Sequence, residues 1–117
     1  MQGLSLERLI DEQLAAARSA SAGRSARTVH GGQEHALRQT LIALAAGHSL
    51  GEHESPGEAT LQVLRGSVRL RADEETWSGT TGDFLLIPDA RHDLEAVEDS
   101  AVLLTVSLKD GRESAGG

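Results

Sequence analysis

Leu6, Leu9, Ile10 and Leu14 recur at helical spacing, while Glu7, Arg8, Asp11 and Glu12 occupy the opposite side. This pattern predicts an amphipathic helix over residues 4–18 that packs against the body of the fold or against a partner subunit. Ser5 precedes the run with Arg8 rather than Glu three residues on, so it fits a plain N-cap and not a capping box. Residues 19–27 are Ser, Ala, Gly and Arg, a linker composition. After Gly31-Gly32 the period becomes two. Leu37, Gln39, Leu41, Ala43 and Ala45 alternate with Arg38, Thr40, Ile42 and Leu44, and towards the end both faces are apolar. A strand buried on both sides, in a sandwich or at an interface, has this pattern.

Further strands are expected over residues 60–65, 67–71, 84–87 and 101–108. Gly66 turns the first into the second, Pro88 stops the third, and the last places Val102, Leu104, Val106 and Leu108 on one face. Asp73, Glu74 and Glu75 form an exposed hairpin tip. Trp77, just after it, is expected to pack, as a cap on the end of the fold, a pocket wall or a dimer contact. Short strands punctuated by Gly and Pro indicate an all-β sandwich or barrel. The polar, glycine-ended segment 109–117 is expected to be a flexible tail.

Composition narrows the function classes. A chain of 117 residues has room for one domain. A net charge of -7, with no Tyr, one Phe and one Trp, argues against a nucleic-acid partner, which needs clustered cations and stacking surfaces. Arg18, Arg24 and Arg27 form a mildly basic stretch that reads as a solvated connector. The absence of cysteine excludes disulfides, a thiolate nucleophile and Cys-based zinc. The apolar run 41–46 is too short to cross a bilayer, and no apolar h-region follows the N-terminus, so a cytoplasmic location with no membrane partner is expected.

Two glycine-anchored blocks carry the candidate chemistry. The first runs from Gly47 to Gly66 and contains His53, Ser55, Pro56, Gly57 and Glu58 before an apolar strand. The second reads Gly82, Asp83, an apolar run, Pro88 and His92, and fifteen residues separate Gly66 from Gly82. With these spacings, residues 28–108 resemble the cupin family, in its small single-domain form. The resemblance implies a small jelly-roll β-barrel, here preceded by an N-terminal α-helix over 1–27 with its linker. It also implies a divalent metal ion held by three histidines and a glutamate, and a homodimer. The open edge strands of a small barrel invite such pairing, and the doubly apolar segment 37–46 is the candidate interface.

The ligand set is incomplete. His53 stands at the first-histidine position, Ser55 at the second and Ala59 at the third, with Glu58 one residue out of register. Ala90 replaces a motif glycine, His92 arrives one residue early, and Ala96 takes the place of a closing Asn. A first-row divalent ion needs at least three suitable donors, and alanine supplies none. Side chains alternate along a strand, so Glu58 completes a metal set with His53 and His92 only from a loop or bulge. Without metal, the two imidazoles remain as an acid–base pair or as hydrogen-bonded structural groups. Arg91 either pairs with an anionic ligand through its fork of donors or with a surface acid. His30, His35 and His48 fall outside the motifs and are expected to face solvent. Gly47-His48-Ser49-Leu50-Gly51 spells G-x-S-x-G, yet no helix is expected after it and the chain is too short for the hydrolase sheet that motif requires.

Two functions follow. One is a non-catalytic or sensory barrel with a metal-poor pocket, binding an unidentified small molecule that is apolar or weakly anionic. The other is a metal-dependent enzyme of the isomerase or dioxygenase type, using His53 and His92. The fold alone does not choose between them.

Overall fold

The computed structural model describes residues 1–32, 34–54 and 57–107; Ser55, Leu108 and the tail 109–117 lie outside the described residues. Ser5 caps α1 (Leu6–Ser19), its hydroxyl accepting from the Arg8 N–H at 3.2 Å. Eight strands follow among the described residues: β1 (Arg24–His30), β2 (Leu37–Leu44), β3 (Ala59–Arg65), β4 (Ser67–Ala72), β5 (Glu75–Thr80), β6 (Phe84–Leu86), β7 (His92–Ala96) and β8 (Ser100–Ser107). They form a five-stranded sheet in the order β1-β2-β8-β3-β6 and a three-stranded sheet in the order β5-β4-β7, antiparallel throughout. This is the all-β fold with an N-terminal helix that the pattern predicts, in the jelly-roll form that the family resemblance implies.

The core fills the space between the sheets. Ile42 and Leu44 from β2, Leu61 and Val63 from β3, and Val68 and Leu70 from β4 meet there, closed by Leu94, Ala96 and Val102. The opposite face of the larger sheet is also buried, because α1 lies on it: Leu9, Ile10, Leu14 and Ala17 cover Leu41, Ala43 and Ala101. Burial of each large aliphatic side chain in this second layer contributes ~1.5–3 kcal/mol. Arg65 fastens the helix, donating to Asp11 at 2.8 Å and to Glu7 at 2.9 Å.

The helix also accounts for part of the candidate interface within the chain. Its doubly apolar part, residues 41–44, needs no second copy to explain it, since Ile42 and Leu44 fill the barrel and α1 of the same chain covers Leu41 and Ala43, while Leu37 stays exposed.

The linker reading of residues 19–27 is corrected as well. The chain turns at Gly23 (φ 68), and Arg24 already pairs with Leu44 as β1 begins. Polar edge strands carry little apolar alternation, and β1 is exposed or half-buried along its whole length. The sheet therefore starts four residues before the expected boundary at 28. Strands β5 and β7 also fall outside the strands the pattern predicts: β5 is mostly exposed, and β7 turns His92, Leu94 and Ala96 inward, with Leu94 its one large aliphatic residue. The two-residue turn Asp73-Glu74 joins β5 to β4, with Asp73 at φ 55. Aspartate tolerates this left-handed conformation better than most residues. No helix among the described residues is long and apolar enough to cross a membrane.

Candidate functional site

The segment 47–53 runs antiparallel beside β7 and brings the two motif histidines together. The Gly47 N–H donates to the Ala96 carbonyl and the Leu50 N–H to the Leu94 carbonyl. His53 and His92 exchange both backbone hydrogen bonds, at 3.0 and 2.9 Å. Their rings meet edge to face, with centroids 4.5 Å apart. His92 is buried, on the same inward face of β7 as Leu94 and Ala96. Its early arrival in the motif therefore does not turn it outward. Asp93 and Glu95 take the alternate face, where Glu95 pairs with Arg69 at 3.3 Å and Arg71 at 3.7 Å.

Each imidazole is oriented by a carbonyl two residues upstream. His53 Nδ1 lies 3.0 Å from the Gly51 carbonyl oxygen, and His92 Nδ1 lies 2.9 Å from that of Ala90. A carbonyl only accepts, so each Nδ1 carries a proton, and in the neutral imidazole Nε2 is the nitrogen that keeps a lone pair. The two Nε2 atoms have no hydrogen-bond partner among the described residues. Metal-ligating histidines are oriented in this way, but the rest of the donor set does not follow. Ala59 is buried on the inner side of β3, whereas Glu58, one position earlier, is exposed. No group of three or more potential ligands converges among the described residues. Two imidazoles do not meet the needs of a resident first-row ion. Glu58 does lie in a loop, in the bend just before β3, but its side chain is exposed there, and no ligand group joining it to His53 and His92 forms among the described residues.

Arg91 is also placed away from the histidines. Its guanidinium stands 3.6 Å from Glu52, with both side chains well exposed, so it pairs with a surface acid. His30 and His35 are exposed, as expected. His48 is instead half-buried, its ring lying over Gly23, where an added Cβ would come within 2.2 Å of it. Ser49 bridges to Glu95 in a strand-like segment, which rules out the hydrolase elbow geometry.

The cavity beneath the histidine pair is small. About 20 Å³ remains between His53, His92, Leu50, Leu61, Leu70 and Ile87, the room of a single water. A larger space opens where the edge of β5 faces β6: a cleft of about 320 Å³, with Leu70, Trp77, Leu85, Leu86 and Pro88 in its walls. Leu70 lines both cavities. Trp77, opposite Leu70 in the β4–β5 ladder, is half-buried with its ring over Gly79, where a Cβ would lie 2.2 Å from Cη2. Packing and pocket wall, two of the roles foreseen for this tryptophan, are thus the same contact. Asp73 and Glu75 also line the cleft. Sequence reasoning treated them only as a hairpin tip; the signal available was their position two and four residues before Trp77.

A two-sheet barrel with paired histidines at one mouth and a side cleft beside them defines a jelly-roll barrel. No protein-family model and no curated protein matches the sequence. Solved structures do. A conserved protein of unknown function from Streptococcus pyogenes is 30% identical, with a TM-score of 0.68, 79% of this chain covered and 80% of that one. An RmlC-like cupin protein from Desulfovibrio desulfuricans is 25% identical, with a TM-score of 0.63 over 72% of this chain and 81% of that one. Salicylate 1,2-dioxygenase from Pseudoaminobacter salicylatoxidans shares the fold at 22% identity and a TM-score of 0.70, over 86% of this chain but only 32% of the enzyme. The chain belongs to the cupin superfamily.

Proposed function

We propose that this cupin is a small-molecule-binding module whose ligand occupies the cleft beside Trp77. One observation carries the reading: the imidazoles sit over about 20 Å³, whereas the cleft offers about 320 Å³ with apolar walls. Small-molecule sites are typically concave and mostly apolar, starting at roughly 300 Å³. Against a metal-dependent isomerase or dioxygenase stands the donor count. His53 and His92 supply two nitrogens, Ala59 supplies nothing, and Glu58 is on the outside. In this reading the histidine pair is a structural clasp, joining segment 47–53 to β7 through two backbone bonds and one ring contact.

Trp77 is the sole tryptophan of the chain, so its emission reports on this cleft alone. Titration with cyclohexylmethanol, a neutral apolar probe, is expected to shift or quench that emission saturably, with no metal added. In parallel, protein incubated with Ni, Zn, Mn and Fe(II) and then desalted is expected to retain well under one ion per chain. A stoichiometric ion that is lost in both His53→Ala and His92→Ala would overturn the reading in favour of a metal centre.

A further inference from the structure

The geometry points to an organic cation, an ammonium group on an apolar body, as the class of ligand the Trp77 cleft selects. The inference rests on the cleft being the ligand site and adds the charge of its occupant. Three features of the cleft converge on that charge. The first is the wall. The indole of Trp77 is half-buried and lines the cleft, and the face of tryptophan is the strongest aromatic partner for a cation. Leu70, Leu85 and Leu86 supply the surface that an apolar body would cover.

The second is the rim. Asp73 and Glu75 line the same cleft and make no ion pair among the described residues. The third is the missing counter-charge: no Lys, Arg or His is among the residues lining the cleft. Arg71 and Arg91 face partners elsewhere, Glu95 and Glu52 respectively. A carboxylate ligand would thus enter beside two uncompensated negative charges with no donor fork to meet it. An ammonium would gain two opposite charges and the indole face at once. The net charge of -7 adds a long-range attraction of the same sign. This keeps the apolar body that the sequence suggests and replaces the weakly anionic alternative, for which Arg91 is the candidate partner, with a cation.

The test uses one ring shape carrying three charges: cyclohexylmethylammonium, cyclohexylmethanol and cyclohexanecarboxylate, each titrated against Trp77 emission at low and high salt. The ammonium is expected to bind at least 5-fold more tightly than the alcohol, with the carboxylate weakest and the ammonium preference shrinking as salt rises. In the double variant Asp73→Asn, Glu75→Gln the preference should vanish while alcohol affinity is retained, and an unchanged thermal melt shows that the fold is intact. Equal affinity for alcohol and ammonium, or a preference that survives in the double variant, overturns the cation assignment and leaves the cleft as a binding site. Failure of all three probes to alter the emission overturns the cation assignment and the cleft reading together.

Discussion

The histidine mouth and the Trp77 cleft share a wall at Leu70, yet they divide between them what a single metal-dependent pocket would combine. The mouth has oriented nitrogen donors and almost no room; the cleft has room, an aromatic wall and unpaired carboxylates, but no imidazole. Two imidazoles oriented through Nδ1 therefore stand in this chain at a place where little besides water fits. Donor orientation and ligand capacity are separable properties of this barrel, because the first depends on backbone carbonyls beside β7 and the second on where β5 and β6 part.

Removing the shared wall is the severest challenge to that division. Leu70→Ala deletes a side chain only 3% exposed and should cost about 2–5 kcal/mol in denaturant unfolding. If the variant folds, the two cavities merge, and cyclohexylmethanol affinity should change as well. A cost well below this would mean that the wall is not packed as described. Gly79→Ala acts on the cleft alone. Its Cβ would overlap the indole at 2.2 Å, so Trp77 must swing outward, with a red-shifted emission and a loss of about 1–3 kcal/mol. Unchanged emission would contradict the stacking of Trp77 on Gly79.

The smallest expected effect lies far from both cavities and serves as their control. Asp99 accepts from the Ala46 N–H at 2.9 Å and from Arg18 at 2.7 Å. The Ala46 bond first, and Arg18 after it, hold its carboxyl below the usual carboxylate range. A group depressed in the folded state stabilises above its unfolded value, about 3.9 for aspartate, and that contribution is lost as pH falls through the folded value. Asp99→Asn should therefore cost about 1 kcal/mol at pH 7, after discounting for solvent screening of the exposed Arg18 pair. The gap to the parent should close in unfolding measurements carried below pH 4. Probe binding in the cleft should be untouched.

Legibility in the sequence followed apolar contrast rather than burial alone, since β7 is buried along one face yet offers only Leu94 as a large aliphatic residue there. Leu9, Ile10 and Leu14 announced α1, and the alternation of Val68 and Leu70 with Arg69 and Arg71 announced β4, because each has one wet and one dry side. The same rule hid β1 and β5, which are largely exposed and so have little contrast to display. At the site, the pairing of the motif blocks singled out His53 and His92 correctly as neighbours. Arg91 and Glu58 are adjacent to motif positions in the chain, but each sits in the loop just before a strand, β7 and β3 respectively, and both are exposed there.

By itself, the sequence determined the family, the double-sheet architecture, the capped helix and an incomplete donor set, since periodicity, turn residues and motif spacing are local properties of the chain. Tertiary structure alone decided that α1 covers the outer face of β2, that the His53–His92 pair closes over the volume of one water, and that Asp73, Glu75 and Trp77 border a cleft. Each of these depends on which strands become neighbours across a gap, and that is settled by the packing of distant segments against one another.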